Sequence, residues 1–332
     1  MRAVPPVLNG LPTGPQFACE WGAPAAFAPR VATAAGLLEV PEFGANPGGL
    51  RMFVYAPPIA PEPGMPLVVL LHGCGQDAAS FARDSGWIAL ADRLGFPLLL
   101  PEQVVGNNRG GCFNWFRPGD IRRGSGEAAS IRQMLVQAIG GFRSDPRRVF
   151  VAGLSAGGAM AVALLAAYPE AFAAGAVVGG LPVGCASEVA EALSRMSHAG
   201  PSLDPADWAD RARRIGPQSY DGPWPALSIW RGGGDRVVDP ANGELLAEQW
   251  SALHALASVP AAETEPVPHV RRQVWGPIAR PVIEMWTLAH LPHAWPTGDD
   301  GAVGRWVRPA ALAATAEIAR FWSLAGSLVP VA

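Results

Sequence analysis

Arg148-Val149-Phe150-Val151-Ala152 runs straight into Gly153-Leu154-Ser155-Ala156-Gly157-Gly158, and this junction decides the fold. The four residues after Arg148 are β-branched or apolar and the run has strand length, while Gly157 to Tyr168 has the composition of a buried helix. A serine on such a sharp strand-to-helix turn has a crowded backbone, so its neighbours must be glycine or alanine. The pattern predicts a nucleophile elbow with Ser155 as the attacking hydroxyl and the Ala156 amide, at the helix start, aimed at a developing oxyanion.

Working outward, short apolar runs bounded by turn residues recur at 50–56, 66–72, 96–101, 175–180, 226–231 and 282–288. Helical spacing is read between them over 78–94, over 126–139 behind the cap candidate Ser125, and over 241–256; a last helix over 309–324 carries Ile318, Phe321 and Trp322 on one face. Strands alternating with helices predict a mostly parallel central sheet flanked by helices, which with the elbow is the α/β-hydrolase fold. The polar, Arg- and Pro-rich stretch 185–224 reads as an inserted cap or lid. Residues 1–36 read as an irregular N-terminal extension, and 37–332 as the catalytic domain. The long apolar segment 153–186 is broken at Tyr168-Pro169-Glu170 and at Gly179-Gly180, so a buried helix and strand are expected there and not a membrane span.

A serine nucleophile needs a base and an orienting acid, in the chain order Ser, acid, His. Six histidines compete. His293, in the loop after the last strand, is the expected base, with His290 as its rival; His72 is read as structural. Asp235, reached through Gly232-Gly233-Gly234 at the end of 226–231, is the expected acid, and Asp239 is read as a helix cap. Upstream, 66–71 ends in His72-Gly73-Cys74-Gly75, where glycines let the chain approach the elbow, and the second oxyanion donor is assigned to the Cys74 amide.

Composition removes other chemistries. All 25 basic residues are arginine, so no lysine is present for a Schiff base, a phosphate loop or a Ser-x-x-Lys centre. The four cysteines, Cys19, Cys74, Cys112 and Cys185, lack the close spacing of thiolate metal sites. With a net charge of -3 and interspersed signs, neither nucleic acid nor an anionic membrane is expected as a partner. The first residues, Met1-Arg2-Ala3-Val4-Pro5-Pro6, carry no apolar signal run, so a cytoplasmic location is the expectation from this stretch, with a secreted one left open.

With these residues in hand, the chain resembles the poly(3-hydroxybutyrate) depolymerase family of esterases, whose relatives include feruloyl and acetylxylan esterases. The resemblance rests on Leu71-His72-Gly73-Cys74-Gly75-Gln76-Asp77, Pro101-Glu102-Gln103, Gly111-Cys112-Phe113-Asn114-Trp115-Phe116, the elbow through Met160, Gly179 to Ala186, and His293-Ala294-Trp295-Pro296. It implies hydrolysis of a short-side-chain hydroxyalkanoate ester, polymer or oligomer, through an acyl-enzyme on Ser155. No metal or organic cofactor is implied. It also implies that Cys74 and Cys112 form a disulfide, the alternative being two buried thiols. Asn114, Trp115 and Trp295 are expected to contact substrate, the two tryptophans as apolar walls. A carbohydrate esterase and a non-catalytic polymer-granule-binding protein on the same fold are the alternative readings. Oligomeric state is not legible.

Overall fold

The computed structural model describes residues 36–324, so the predicted extension lies, but for Gly36, outside the described residues. One sheet of ten strands organises the chain. In chain order its strands are β1 (Leu38–Glu39), β2 (Arg51–Tyr55), β3 (Leu67–Leu71), β4 (Leu98–Glu102), β5 (Val149–Leu154), β6 (Ala174–Val178), β7 (Ala226–Gly232), β8 (Ala262–Val267), β9 (Val270–Trp275) and β10 (Ile283–Leu288). They lie side by side as β1-β2-β4-β3-β5-β6-β7-β10-β9-β8. The six from β4 to β10 are parallel, and antiparallel strands close both flanks. All seven predicted strands are present.

Strand side chains alternate between two cores, as a period of two requires. Leu67, Val69, Leu71, Val149, Val151, Leu227 and Ile229 point to one face, under helices α3 (Pro118–Ile121), α4 (Gly126–Phe142), α5 (Ala156–Ala167), α7 (Pro205–Arg213) and α8 (Ala241–Leu253). Val68, Leu70, Phe150, Ala152 and Trp230 point to the other, under α1 (Ala78–Asp84), α2 (Trp87–Leu94) and α9 (Ala314–Phe321). Every residue of α5 is buried, which explains why its sequence is apolar all round. The segment 153–186 is therefore the end of β5, then α5 and β6, and among the described residues no helix is long and apolar enough to cross a membrane.

Two expectations on helices are corrected. The single helix read over 78–94 is two, because Gly86 takes φ 82° between α1 and α2. Ser125 stands at the N-cap of α4 but makes no capping bond; its hydroxyl donates to the Arg122 carbonyl instead. Within 185–224, between β6 and β7, lie α6 (Val189–Ser197) and α7. Helix α7 buries Trp208, Ala209 and Ala212 and packs on α5 and α8, as a crossover helix does.

Candidate active site

Parallel strands present their C-terminal ends to one edge of the sheet, and the loops leaving β3, β5, β6, β7 and β10 meet there. At the end of β5, Ser155 takes φ 57° and ψ -121°, a conformation unfavourable for a non-glycine residue and held by the surroundings. Its amide donates to the Val178 carbonyl at the end of β6 (2.8 Å), and its carbonyl accepts from the Ala159 amide inside α5 (2.9 Å). The glycines around it are steric necessities: a Cβ on Gly153 would stand 2.2 Å from the Gly157 carbonyl oxygen, and one on Gly157 would stand 2.2 Å from that of Leu71.

His293 and Asp235 meet beside this turn. His293 Nδ1 lies 2.6 Å from Asp235 Oδ2, with both side chains almost wholly buried. A carboxylate only accepts, so Nδ1 carries the proton and Nε2 is left with a free lone pair. The other oxygen, Asp235 Oδ1, accepts from the Val237 and Val238 amides at 2.8 and 2.9 Å, which fixes the carboxylate. A Cβ on Gly179, the residue after β6, would stand 2.9 Å from His293 Cε1 and 3.5 Å from Asp235 Oδ2. The ring thus sits over the residue adjoining Val178, the carbonyl partner of Ser155. Among the described residues neither the Ser155 hydroxyl nor His293 Nε2 makes a hydrogen bond, to each other or to a third group.

The rival residues are otherwise engaged. His290 is exposed and stacks edge-on against His269. Asp239 accepts from the Ala241 amide at the start of α8 and from the Ala199 amide. His72 is fully buried; Nδ1 donates to the Gly73 carbonyl (2.8 Å) and Nε2 accepts from the Gln103 amide (3.1 Å), and burial pushes its pKa down, so it is a neutral brace for the loop.

That loop carries Cys74, whose amide, like that of Ala156, makes no hydrogen bond among the described residues. Cys74 is joined to Cys112, with Cα atoms 4.3 Å apart. Cys74, Ala156 and Ser155 open together into a cavity of about 620 Å³, walled by Trp115, Phe116, Leu181 and, from α6, Val189, Leu193 and Met196.

Two expected substrate contacts do not hold. Trp295 is fully buried on the opposite face of the sheet, packed against Phe81 and Trp87 with Nε1 donating to Thr315, because the chain bends at His293 and Ala294, and the two-residue spacing that would share a face in an extended strand does not do so here. Asn114 is buried behind the wall: its amide and Nδ2 donate to Glu127 at 2.9 and 2.7 Å, and Oδ1 accepts from Asn108. Trp115 alone of the three lines the cavity.

Sequence reasoning missed Glu127 and Trp306. Glu127, in the first turn of α4, is buried and accepts from Asn114 and from Gln103 Nε2 (2.6 Å), tying together the two loops that wall the cavity. Burial outweighs these donors and pushes its pKa up to about 7. Trp306 presents its ring edge-on to His293, centroids 5.5 Å apart, and its Nε1 donates to the Cys74 carbonyl at 3.1 Å. One side chain thus contacts both His293 and the loop that bears Cys74. Its φ of 57° is the only signal of its special place, and a sequence does not display it.

Fold and site together define an esterase of the α/β-hydrolase type. The family model described as "Esterase PHB depolymerase" matches residues 50–268, and the chain belongs to that family. It is 37% identical over 314 residues to "Poly(3-hydroxyalkanoate) depolymerase C" of Paucimonas lemoignei, an alignment covering 92% of this chain and 74% of the relative. It is 33% identical to the "Acetylxylan esterase" of Coprinopsis cinerea, covering 72% of this chain and 63% of that one. Among solved structures, "Acetyl xylan esterase from Aspergillus awamori" superposes with a TM-score of 0.74 at 24% identity, over 87% of this chain and 99% of the other, which shows the shared fold.

Proposed function

We propose that this chain hydrolyses short-side-chain hydroxyalkanoate esters, in polymer or oligomer, with Ser155 as nucleophile, His293 as base and Asp235 as the group that orients the base. One observation supports the reading: the Ser155 hydroxyl opens, with Cys74 and Ala156, into a largely apolar cavity, while a buried His293–Asp235 pair packs at Gly179, next to the carbonyl partner of the Ser155 amide.

In the first half-reaction Ser155 Oγ attacks the ester carbonyl carbon while its proton passes to Nε2. The carbonyl π pair moves onto oxygen, where the Cys74 and Ala156 N–H groups stabilise it; each such donor is worth about 3 kcal/mol in the transition state. Asp235 stabilises the imidazolium so formed. Collapse restores the carbonyl, breaks the bond to the alkoxy oxygen, and delivers the Nε2 proton to the leaving alcohol. A water molecule then repeats the sequence on the acyl-enzyme, losing one proton to Nε2, and the acid departs as that proton returns to Ser155 Oγ. Trp115, Leu181 and Met196 offer flat or flexible apolar surface to methyl and methylene groups. Residues 37–332 act as one catalytic domain, and α6, which forms a cavity wall, is the part of the 185–224 insertion that serves as its cap.

The acetylxylan esterase relatives support a second reading, acetyl or feruloyl ester hydrolysis on polysaccharide. The test is clearing of a polyhydroxybutyrate suspension alongside cleavage of p-nitrophenyl butyrate, with Ser155→Ala as control. Loss of both activities in the variant, by at least about a thousandfold, is expected. Release of acetate from xylan with the polyester and its oligomers untouched would move the substrate assignment to the second reading. A fluorophosphonate probe that fails to label Ser155 would refute the mechanism and favour a binding protein.

A further inference from the structure

The charged residues at the mouth of the Ser155 cavity are all of one sign. Arg109 and Arg117 line it, and no aspartate or glutamate does. Arg305 adds a third cation: its Nη2 lies 2.6 Å from where a Cβ on Gly75 would stand, beside Cys74. The loops bearing these residues touch, since a Cβ on Gly111 would be 3.5 Å from the Gly75 amide nitrogen. All three arginines are exposed, and among the described residues none has an ion-pair partner. Elsewhere on the surface Arg51, Arg123, Arg147 and Arg320 each hold a carboxylate. Asp120 is the carboxylate within electrostatic reach of Arg117, but it accepts from the Glu127 amide and leaves the Arg117 guanidinium over the Phe116 ring. In a chain of net charge -3, a cluster of unpaired cations at the reaction site is a local reversal of sign.

From this we infer that the mouth recognises the free carboxylate at the acid end of a short hydroxyalkanoate oligomer, with Arg109, Arg117 and Arg305 as specificity-determining residues. The inference rests on the hydroxyalkanoate reading above. A guanidinium fork matches a carboxylate, whereas a neutral methyl ester or an internal polymer repeat offers it only carbonyl oxygens. Because the arginines are exposed, the discrimination is modest, about fivefold in kcat/KM at low ionic strength. It weakens as salt screens the charges.

The experiment compares the linear trimer of 3-hydroxybutyrate as free acid and as methyl ester. The parent protein prefers the free acid about fivefold, and the ratio falls toward one in about 0.5 M NaCl. Arg109→Gln, Arg117→Gln and Arg305→Gln, singly and combined, lower the ratio stepwise toward one, and melting temperatures confirm that each variant folds. Arg147→Gln, at the other end of β5, keeps the parent ratio. Equal rates for the two trimers in the parent, or a preference that survives the triple variant, overturn the inference and leave the hydroxyalkanoate reading standing. Cleavage of p-nitrophenyl butyrate with neither trimer touched overturns both.

Discussion

Glu127 makes the stability of this protein fall with rising pH in a way that one substitution removes. Its carboxyl ordinarily titrates at 4.5 and is pushed up to about 7 by burial. Between those values the native state holds a proton that the unfolded chain has released, so the native state is favoured most at low pH and loses that advantage as pH climbs through the folded pKa. Taking 1.36 kcal/mol per pKa unit, the group's contribution changes by about 2 to 3 kcal/mol between pH 5 and pH 8. His72, buried and neutral with a lowered pKa, acts in the opposite direction over the lower part of this range, so the parent's profile alone does not isolate Glu127. The comparison with Glu127→Gln does. Glutamine keeps the volume and one acceptor for Gln103 and Asn114, and turns an amide toward the Asn114 N–H, a fixed cost that does not titrate. Urea unfolding followed by tryptophan fluorescence at pH 5, 6, 7 and 8 measures the difference. We expect the stability gap between parent and variant to shrink by about 2 to 3 kcal/mol from pH 5 to pH 8. A gap constant within about 0.5 kcal/mol would show that Glu127 does not titrate in this range, and would remove burial as the dominant influence on it.

Trp306→Phe keeps an aromatic edge against His293 but deletes the bond to the Cys74 carbonyl; kcat on p-nitrophenyl butyrate should fall about fivefold with KM nearly constant, and an unchanged kcat would deny Trp306 a positioning role. Reducing Cys74–Cys112, which closes a 38-residue separation, should cost about 4 kcal/mol in the chain-entropy account and lower kcat by loosening the oxyanion loop, both read by melting and activity with and without dithiothreitol. A Cys74→Ser/Cys112→Ser double variant with parental melting temperature and rate would refute both parts.

What the sequence reveals and hides here follows from how local each feature is. The parallel core was legible because strands buried on both faces are continuous apolar runs, as Leu67 to Leu71 and Val149 to Leu154 are. The β8–β9 hairpin was not, because Ala262–Val267 is an exposed edge strand whose Glu-Thr-Glu core carries no apolar alternation, and its pairing with β9 is broken by a register shift after Thr264. The same contrast runs through the site. Ser155 announces itself because its strained turn demands glycines within two or three residues on the chain, whereas Trp306 reaches His293 and Cys74 only through tertiary folding, with nothing in its neighbours to mark it. Trp295 shows the converse error: nearness in sequence to His293 suggested a shared surface, yet the chain bends at His293 and Ala294 and carries the indole into the opposite core. Glu127 was hidden for a different reason. An acid in the first turn of a helix is ordinarily a solvated partner of the helix dipole, and only the loops folded over it turn this one into a buried, proton-holding brace. Residues whose role is to hold others in place are thus read last, since their chemistry belongs to the surroundings and not to their own position in the chain.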